Sequence, residues 1–382
     1  MKAIVNGIIL LPDREVTGRA LLYEDTIVDI VRPEEAAGAE TVDAQGAYVA
    51  PGLIDVHTHG YQGADVSDAD PAGVRAMARG FLQNGVTAFL PTTMTVDWAI
   101  LERVFAQLRD LRPESRRPDF DGAEIIGCHA EGPFINPDKK GAQAASAILP
   151  PDADRVLPWA DIIQTLTFAP EMPGGDQLIR TLREKTEIAL SIGHTGANFD
   201  QAMRAIRLGA SRVTHTFNAM TPLHHRDPGV VGAALSTDVY CELIADTFHV
   251  HQGIFPLLRK AKGDRLVLIT DCLRSTGMPD GEYTLGGQKF FLRGIECRLE
   301  DGTIAGSVLK LNEAVRNYRD FGGVPMHAAV RAASLSAAES VGAAKAKGSL
   351  EKGKDADIVL MDRDCRVLRT IVRGVTKFCA PS

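Results

Sequence analysis

The feature that most constrains the fold of this chain is an alternation of short apolar runs with amphipathic stretches across residues 51–346. Runs of strand length separated by stretches of helical periodicity are typical of successive βα units. Eight apolar runs occur, at 53–57, 87–93, 123–131, 164–170, 187–194, 212–217, 240–246 and 266–271. Helical stretches lie between most of them, at 71–84, 99–111, 176–185, 199–208 and 254–261. Because eight parallel strands can close on themselves, we predict a (β/α)8 barrel of the TIM type over residues 51–346.

The main alternative for such a pattern is an open, doubly wound parallel sheet. That architecture places a glycine-rich, phosphate-binding turn directly after its first strand. Here the first run ends instead in His57-Thr58-His59. The sequence therefore favours the closed barrel.

The two ends of the chain differ from its centre. Residues 1–50 and 347–382 contain short runs of alternating apolar and polar residues separated by turn residues, a pattern typical of β-strands. Strands this short need a partner sheet to be stable. We therefore predict that residues 1–50 and 347–382 join into one small β-domain beside the barrel.

Composition and charge narrow the class of protein. Hydrophobic residues make up 45% of the 382 residues and charged residues 24%, which is ordinary for a soluble globular protein. The net charge of −7 gives no reason to expect nucleic acid or a membrane as a partner. The six cysteines are scattered, which favours free thiols in a reducing compartment. The N-terminal apolar stretch is too short to span a membrane and lacks a signal-peptide cleavage site, so we predict a cytoplasmic protein.

Histidine and carboxylate side chains recur where the predicted strands end. Residues at the C-terminal ends of barrel strands converge on the barrel mouth, where barrel enzymes hold their active sites. A single histidine at a strand end is more often a packed or surface residue than a ligand, but chance does not explain six such residues at one end. Imidazole and carboxylate together suit zinc or iron, and a set without thiolate is typical of a catalytic metal site. The predicted metal ligands are His57, His59, Glu131, His194 and His215, and Asp271 ends the eighth strand.

These residues indicate metal-assisted hydrolysis. A bound divalent ion lowers the pKa of its water from ~15.7 toward ~7. Asp271 can take a proton from that water and return it to a leaving nitrogen, which makes an amide the natural target. Glu131 can bridge two ions, and the residues leave one-metal and two-metal sites both open. The fourth predicted strand ends in Phe168-Ala169-Pro170, so it offers no lysine for the carbamylated metal bridge of cyclic-amide hydrolases.

A colinear series of motifs resembles the N-acetylglucosamine-6-phosphate deacetylases of the amidohydrolase superfamily. The motifs are PGLIDVHTHG, HAEGPFINPDKKGAQ, SIGHTGA, THTFNAMTPLHHRDPGVVGAAL, IADTFHVH, ITDCLRSTGMPDGEYTLGG and DGTIAGSVL. The resemblance covers nearly the whole chain. It implies removal of acetate from an N-acetylated amino-sugar 6-phosphate, and it implies that the terminal segments form a β-sandwich.

The resemblance also implies roles for individual residues. Glu131, His194 and His215 correspond to metal ligands, Asp271 to the general acid/base, and the pair His57 and His59 to a second metal position. The cofactor is then one or two divalent ions, with zinc first and iron or another divalent ion as alternatives. A homodimer is implied, in which the loop of Arg226 reaches the neighbouring pocket. The implied substrate contacts are Ala142, Gln143, Asn218, Ala219, Arg226, Asp246, Thr247, Phe248, His249, Ile304, Ala305 and Gly306.

Departures from the family pattern leave alternatives for the substrate. Gln143 stands where some members have histidine, so the donor that polarises the substrate carbonyl is left open. One alternative is a deacetylase of N-acetylgalactosamine 6-phosphate or of another N-acyl substrate. A cyclic amidohydrolase is a further alternative, but the fourth strand lacks the lysine that such an enzyme would need. A non-catalytic scaffold is another, but the chain retains all six predicted metal-site residues.

Overall fold

The computed structural model describes residues 1–381, and eight parallel strands surround the centre of the molecule at the predicted positions. Each strand pairs in parallel with the next one along the chain. Their bounds are β1 Leu53–Thr58, β2 Val86–Thr93, β3 Cys128–Glu131, β4 Ile163–Phe168, β5 Ala189–Ile192, β6 Arg212–Val213, β7 Tyr240–Ile244 and β8 Leu266–Ile269. A short strand, Glu124–Ile125, also pairs with β2 ahead of β3.

The barrel closes between β8 and β1. A parallel bridge joins Thr58 to Cys272, and the backbone N–H of Asp271 donates to the carbonyl oxygen of His57 at 2.9 Å. The fully buried carboxylate of Asp55 adds a side-chain link, because it accepts the Thr270 hydroxyl at 2.6 Å. This seam places the end of β1 beside the end of β8, so that the first and last predicted site residues become neighbours.

Ten α-helices accompany the strands in the described part of the chain. They are Pro71–Phe81, Trp98–Ser115, Ala153–Val156, Gly175–Lys185, Phe199–Leu208, Gly229–Leu235, Phe255–Lys262, Leu311–Gly322, Met326–Ala332 and Leu335–Ser340. The five predicted helices are among them. Gly229–Leu235 was not predicted, because six of its seven residues are buried and it has no polar face to mark a helical period. The three helices after residue 310 were also not predicted.

The segment after β3 carries only short helical turns before β4. It contains the 3₁₀ turns Pro137–Lys139, Ala145–Ala147 and Leu157–Trp159 and the four-residue helix Ala153–Val156. Loops at the C-terminal face of such a barrel are the usual source of substrate-binding residues. This long connection and the small strand pair Gly60–Tyr61 and Ala64–Asp65 lie next to the predicted site residues.

The two ends of the chain build two further sheets. One sheet has the order Val375–Cys379, Val367–Val372, Ile358–Met361, Tyr48–Pro51, Ile8–Leu10 and Glu15–Val16, and so joins both termini. The other has the order Ile27–Val31, Ala20–Tyr23, Lys2–Val5 and Glu40–Asp43. Buried side chains from both, among them Ile4, Tyr23 and Ile358, form one apolar cluster between them. The predicted barrel with a β-sandwich built from both termini is confirmed.

A three-stranded antiparallel sheet is inserted after β8, with strands Gly281–Leu285, Gln288–Arg293 and Glu296–Leu299. Its last strand leads directly into residues 303–306, which face the barrel mouth. No helix in residues 1–381 is both long enough and apolar enough to cross a membrane.

Candidate active site and metal centre

Six of the predicted site residues meet at the mouth of the barrel in two groups of three. One group is His57, His59 and Asp271, and the other is Glu131, His194 and His215. Within each group the candidate ligand atoms all lie within 4.8 Å of one another, and all six residues are buried. The residues come from the ends of five strands, so the convergence is a product of barrel closure.

The backbone turns sharply at three of these positions. His194, His215 and Asp271 have φ angles of 48°, 28° and 51°, in the left-handed region that residues with a Cβ rarely adopt. Strained backbone of this kind concentrates at active sites, where the surrounding structure holds it. At each position the chain leaves a strand and directs a side chain over the barrel mouth.

The carboxylate of Glu131 lies between the two groups. Its Oε1 atom is 3.3 Å from His194 Nε2, 3.2 Å from His215 Nε2 and 3.4 Å from His57 Nε2. Its Oε2 atom is 3.3 Å from His59 Nε2. One carboxylate therefore faces histidines of both groups, as a ligand shared by two ions would.

The histidine hydrogen bonds fit a bound divalent cation. In three of the histidines, Nδ1 faces an oxygen acceptor. His57 Nδ1 lies 2.9 Å from Glu242 Oε2, and His59 Nδ1 lies 3.2 Å from the Thr92 carbonyl oxygen. His194 Nδ1 lies 2.9 Å from the Lys139 carbonyl oxygen. Because these oxygens only accept, each Nδ1 donates its hydrogen, and in the neutral imidazole Nε2 then carries the lone pair that is directed at the centre. The Nε2 atoms of His194 and His215 are only 3.2 Å apart. Converging lone pairs beside two carboxylates form a donor set that suits a divalent ion.

The charges in this cluster are strongly coupled. Burial opposes ionisation of Glu131, but the imidazoles of His194 and His57 outweigh it and hold the pKa of that carboxyl well below its usual value. Burial likewise opposes ionisation of Asp271, yet His57 and His59 lower its pKa. For His59, the hydrogen bonds of Asp271 and Glu131 outweigh burial and raise the pKa to about 9. Both carboxylates are therefore ionised at neutral pH, and the cluster requires positive charge.

A cavity of about 350 Å³ opens beside the two groups. Its volume falls in the range of small-molecule sites. Eight of the twelve predicted substrate contacts line it, namely Ala142, Gln143, Asn218, Ala219, His249, Ile304, Ala305 and Gly306. The lining also includes Met94, Asp138, Lys139, Gly141 and Thr303, which the sequence did not single out. Beside the metal groups, the cavity thus combines apolar side chains with Lys139, His249 and the amides of Gln143 and Asn218.

The other four predicted substrate contacts lie outside this lining. Asp246 accepts the backbone N–H groups of Phe248 and His249 at 2.9 and 2.8 Å and contacts His249 Nδ1 at 2.6 Å. Its carboxylate therefore shapes the loop and orients His249. Thr247 and Phe248 belong to the same loop. Arg226 lies in an exposed loop, where its guanidinium contacts His225 Nε2 at 2.7 Å.

Gln143 is placed to orient Glu131. Its Nε2 donates to Glu131 Oε2 at 2.6 Å, and its Oε1 accepts the Thr95 backbone N–H at 2.6 Å. Both ends of the amide are thereby fixed, and the side chain is 2% exposed. In this arrangement one of the two amide hydrogens points at the carboxylate and helps to hold Glu131 in place.

Three residues close to the site were missed by the sequence reasoning. Glu242 is fully buried beneath His57, Asp55 braces the β1–β8 seam, and Lys139 borders the cavity. A signal for the first two was present, since each is a charged residue inside an otherwise apolar strand.

His129 packs edge-to-face against His57 with 4.6 Å between ring centroids, and its Nε2 contacts the Thr167 hydroxyl at 2.7 Å.

Comparisons with known proteins agree with this geometry. The amidohydrolase family model matches residues 48–377. The N-acetylglucosamine-6-phosphate deacetylase of Bacillus subtilis (strain 168) is 39% identical over 357 residues, which cover 92% of this chain and 90% of the relative. The N-acetylgalactosamine-6-phosphate deacetylase of Escherichia coli O157:H7 is 35% identical, with 93% of each chain covered.

A solved structure matches as well. The crystal structure of N-acetylglucosamine-6-phosphate deacetylase from Pasteurella multocida superposes with a TM-score of 0.92 at 31% identity, covering 98% of this chain and 99% of that one. The match therefore includes the terminal sheets as well as the barrel. The chain belongs to the amidohydrolase family, within the branch that includes the N-acetylglucosamine-6-phosphate deacetylases.

Proposed function

We propose that this protein hydrolyses the N-acetyl amide of N-acetylglucosamine 6-phosphate, giving glucosamine 6-phosphate and acetate. The observation that carries the proposal is the convergence of four imidazoles and two carboxylates beside a cavity of about 350 Å³. The relatives named above support the choice of substrate.

We further propose how the six residues divide their work. Glu131, His194 and His215 would hold one divalent ion, and His57, His59 and Asp271 would hold a second, with Glu131 facing both. A divalent ion at this site supplies Lewis acidity, which polarises an amide carbonyl and acidifies water. Zinc is the ion we propose first, because imidazole and carboxylate are common ligands at catalytic zinc sites, and iron accepts the same set.

Asp271 is the group that moves the proton. Its pKa is lowered although burial opposes this, because His57 and His59 stabilise the carboxylate, so it is ready to accept a proton at neutral pH. Its side chain also borders the cavity, within reach of a bound substrate. Asp271 would accept a proton from the attacking water and donate it to the leaving nitrogen, because an amine leaves readily only when protonated.

The remaining lining would bind the sugar phosphate. Outside the two metal groups, Lys139 and His249 are the basic side chains that line the cavity, and they suit an anionic group. Asn218 and the loop from Ile304 to Gly306 would contact the sugar, together with Ala142, Gln143 and Ala219. Asp246, Thr247 and Phe248 would act by holding His249 in place.

We propose a cytoplasmic homodimer in which Arg226 serves the neighbouring cavity. Support comes from the position of Arg226, which is exposed and lies outside the cavity of its own chain. Guanidinium binds phosphate through two parallel hydrogen bonds, so an arginine from a neighbour would complete the anion site. Light scattering of the purified protein should give twice the 41.1 kDa chain mass.

The second candidate substrate is N-acetylgalactosamine 6-phosphate, favoured by the relative from Escherichia coli O157:H7. Acetate release should be measured with both sugar phosphates and with both unphosphorylated sugars. We expect the highest kcat/KM for N-acetylglucosamine 6-phosphate and a loss of at least ~10-fold without the phosphate, because one charge-assisted contact contributes about 1.5–3 kcal/mol. Equal turnover of phosphorylated and plain sugars would contradict the substrate proposal, and preference for the galacto sugar would establish the alternative.

A further inference from the structure

Glu242 is a buried carboxylate to which the activity proposed above assigns no role. It lies in the middle of β7, in the apolar stretch Tyr240–Ile244, and is 0% exposed. A charged side chain in such a position is costly unless it is paired and hydrogen-bonded. Its contacts therefore indicate what it does.

The two oxygens of Glu242 contact different partners. Oε2 lies 2.9 Å from His57 Nδ1 and accepts the backbone N–H of His215 at 3.1 Å. Oε1 accepts a guanidinium N–H of Arg212 at 2.5 Å. One carboxylate thus joins the side chain of a residue in one metal group to the backbone of a residue in the other.

Arg212 holds this carboxylate in place. The arginine is also 0% exposed, and its other terminal nitrogen donates to the Ser340 hydroxyl. A buried pair of this kind is often no more stabilising than apolar side chains of similar volume. Its presence under the candidate metal centre therefore points to a role in the site.

We propose that Glu242, anchored by Arg212, is a positioning residue that prepares His57 and His215 for metal binding. The carboxylate fixes the Nδ1–H form of His57 and turns Nε2 toward Glu131 and Asp271, at 3.4 and 3.5 Å. It also supports the strained backbone of His215. The inference rests on the metal-dependent activity proposed above.

The sharpest variant is Glu242→Gln. Both carboxylate oxygens act as acceptors, whereas an amide keeps one acceptor and presents a donor in place of the other. If that donor faces His57, the ring hydrogen moves to Nε2 and the ligand lone pair is lost. If it faces Arg212, two donors oppose each other. We expect zinc affinity at the His57 position to fall by about 10- to 100-fold, so that bound zinc drops from about two toward about one ion per chain.

A matched control is available at the opposite end of the barrel. Glu124 is also a buried carboxylate paired with an arginine, at 2% exposure and 2.6 Å from Arg116. Glu124→Gln should lower stability but leave the zinc content and the visible spectrum of the cobalt-loaded protein unchanged. Glu242→Asp keeps two acceptors and should recover part of the zinc affinity.

The measurement is zinc per chain after dialysis, combined with the visible spectrum of the cobalt-loaded protein and with circular dichroism to confirm folding. Glu242→Gln protein that folds and retains two zinc ions with wild-type affinity would overturn the inference while leaving the proposed activity intact. A wild-type protein that binds no metal would contradict both. Should the variant fail to fold, ¹⁵N shifts of labelled histidine in the zinc-loaded wild-type protein decide: we expect a hydrogen on Nδ1 of His57 and none on Nε2, and the reverse arrangement would overturn the inference.

Discussion

Asp271 is the single residue whose substitution tests the proposed chemistry most directly, because it lies beside the metal-group histidines and also lines the cavity. Its Oδ1 lies 3.2 Å from His59 Nε2 and 3.5 Å from His57 Nε2, and its side chain borders the cavity. Asp271→Asn preserves the shape of the side chain but removes its ability to take a proton. We expect kcat for acetate release to fall by ~10²–10⁴-fold, the usual contribution of a general acid–base group.

The asparagine variant requires its metal content to be measured in the same preparation. Glu131, His194 and His215 are unchanged in the variant, and an amide oxygen at position 271 still offers a ligand atom beside His57 and His59, so we expect the metal content to be retained. A variant that keeps its metal and turns over within about twofold of wild type would exclude proton transfer by Asp271.

Single residues were predictable from the sequence where chemistry and position coincided. Histidines and carboxylates at strand ends must meet at the barrel mouth, and the six predicted residues lie together there. Lys139 could not be placed, because its position depends on how the irregular segment after β3 folds. Glu242 could not be assigned a partner, because β7 and β1 are far apart in sequence and only barrel closure brings Glu242 to His57.

At the scale of elements, the eight strands were predictable because buried parallel strands form continuous apolar runs bounded by turns. The five predicted helices were found because apolar residues recur in them at helical spacing, whereas Gly229–Leu235 is apolar all round. The position of the Arg226 side chain could not be predicted from the sequence, because Arg226 lies in an exposed loop that has no periodic pattern of apolar residues. The boundaries proposed from the sequence, at residues 50 and 346, stay a prediction.

The junction between the barrel and the terminal sheets depends on Lys347. Its Nζ lies 2.9 Å from Glu124 Oε2, 2.9 Å from Asp355 Oδ2 and 2.8 Å from Asp357 Oδ2. Lys347 is 3% exposed, and although burial opposes its charge, Asp357 and Glu124 hold its pKa above the usual value. One ammonium therefore neutralises carboxylates on both sides of the junction.

Lys347→Met should destabilise the fold by ~3–5 kcal/mol, because it removes the buried ammonium that Glu124, Asp355 and Asp357 share. The free energy of unfolding from urea titrations measures the loss. Lys345→Met is the matched control, since Lys345 is exposed two residues earlier and its substitution should stay within ~0.5 kcal/mol of wild type. Equal effects of the two substitutions would show that the buried cluster does not stabilise the junction.

At the scale of the whole molecule, closure of the barrel brings residues from distant parts of the sequence into one centre. The two ends of the chain form the separate β-sandwich. The residues that meet there span positions 57 to 271, so no local segment carries the activity. We propose that this centre is active only when its imidazoles and carboxylates hold a metal ion.

The most direct test is acetate release from N-acetylglucosamine 6-phosphate during zinc titration of metal-stripped protein. We expect no turnover without metal, because the cluster alone supplies no Lewis acid, and a rise in kcat that follows bound zinc until the sites are filled. Circular dichroism at each point should show an unchanged fold. Full activity in the stripped, folded protein would contradict the account.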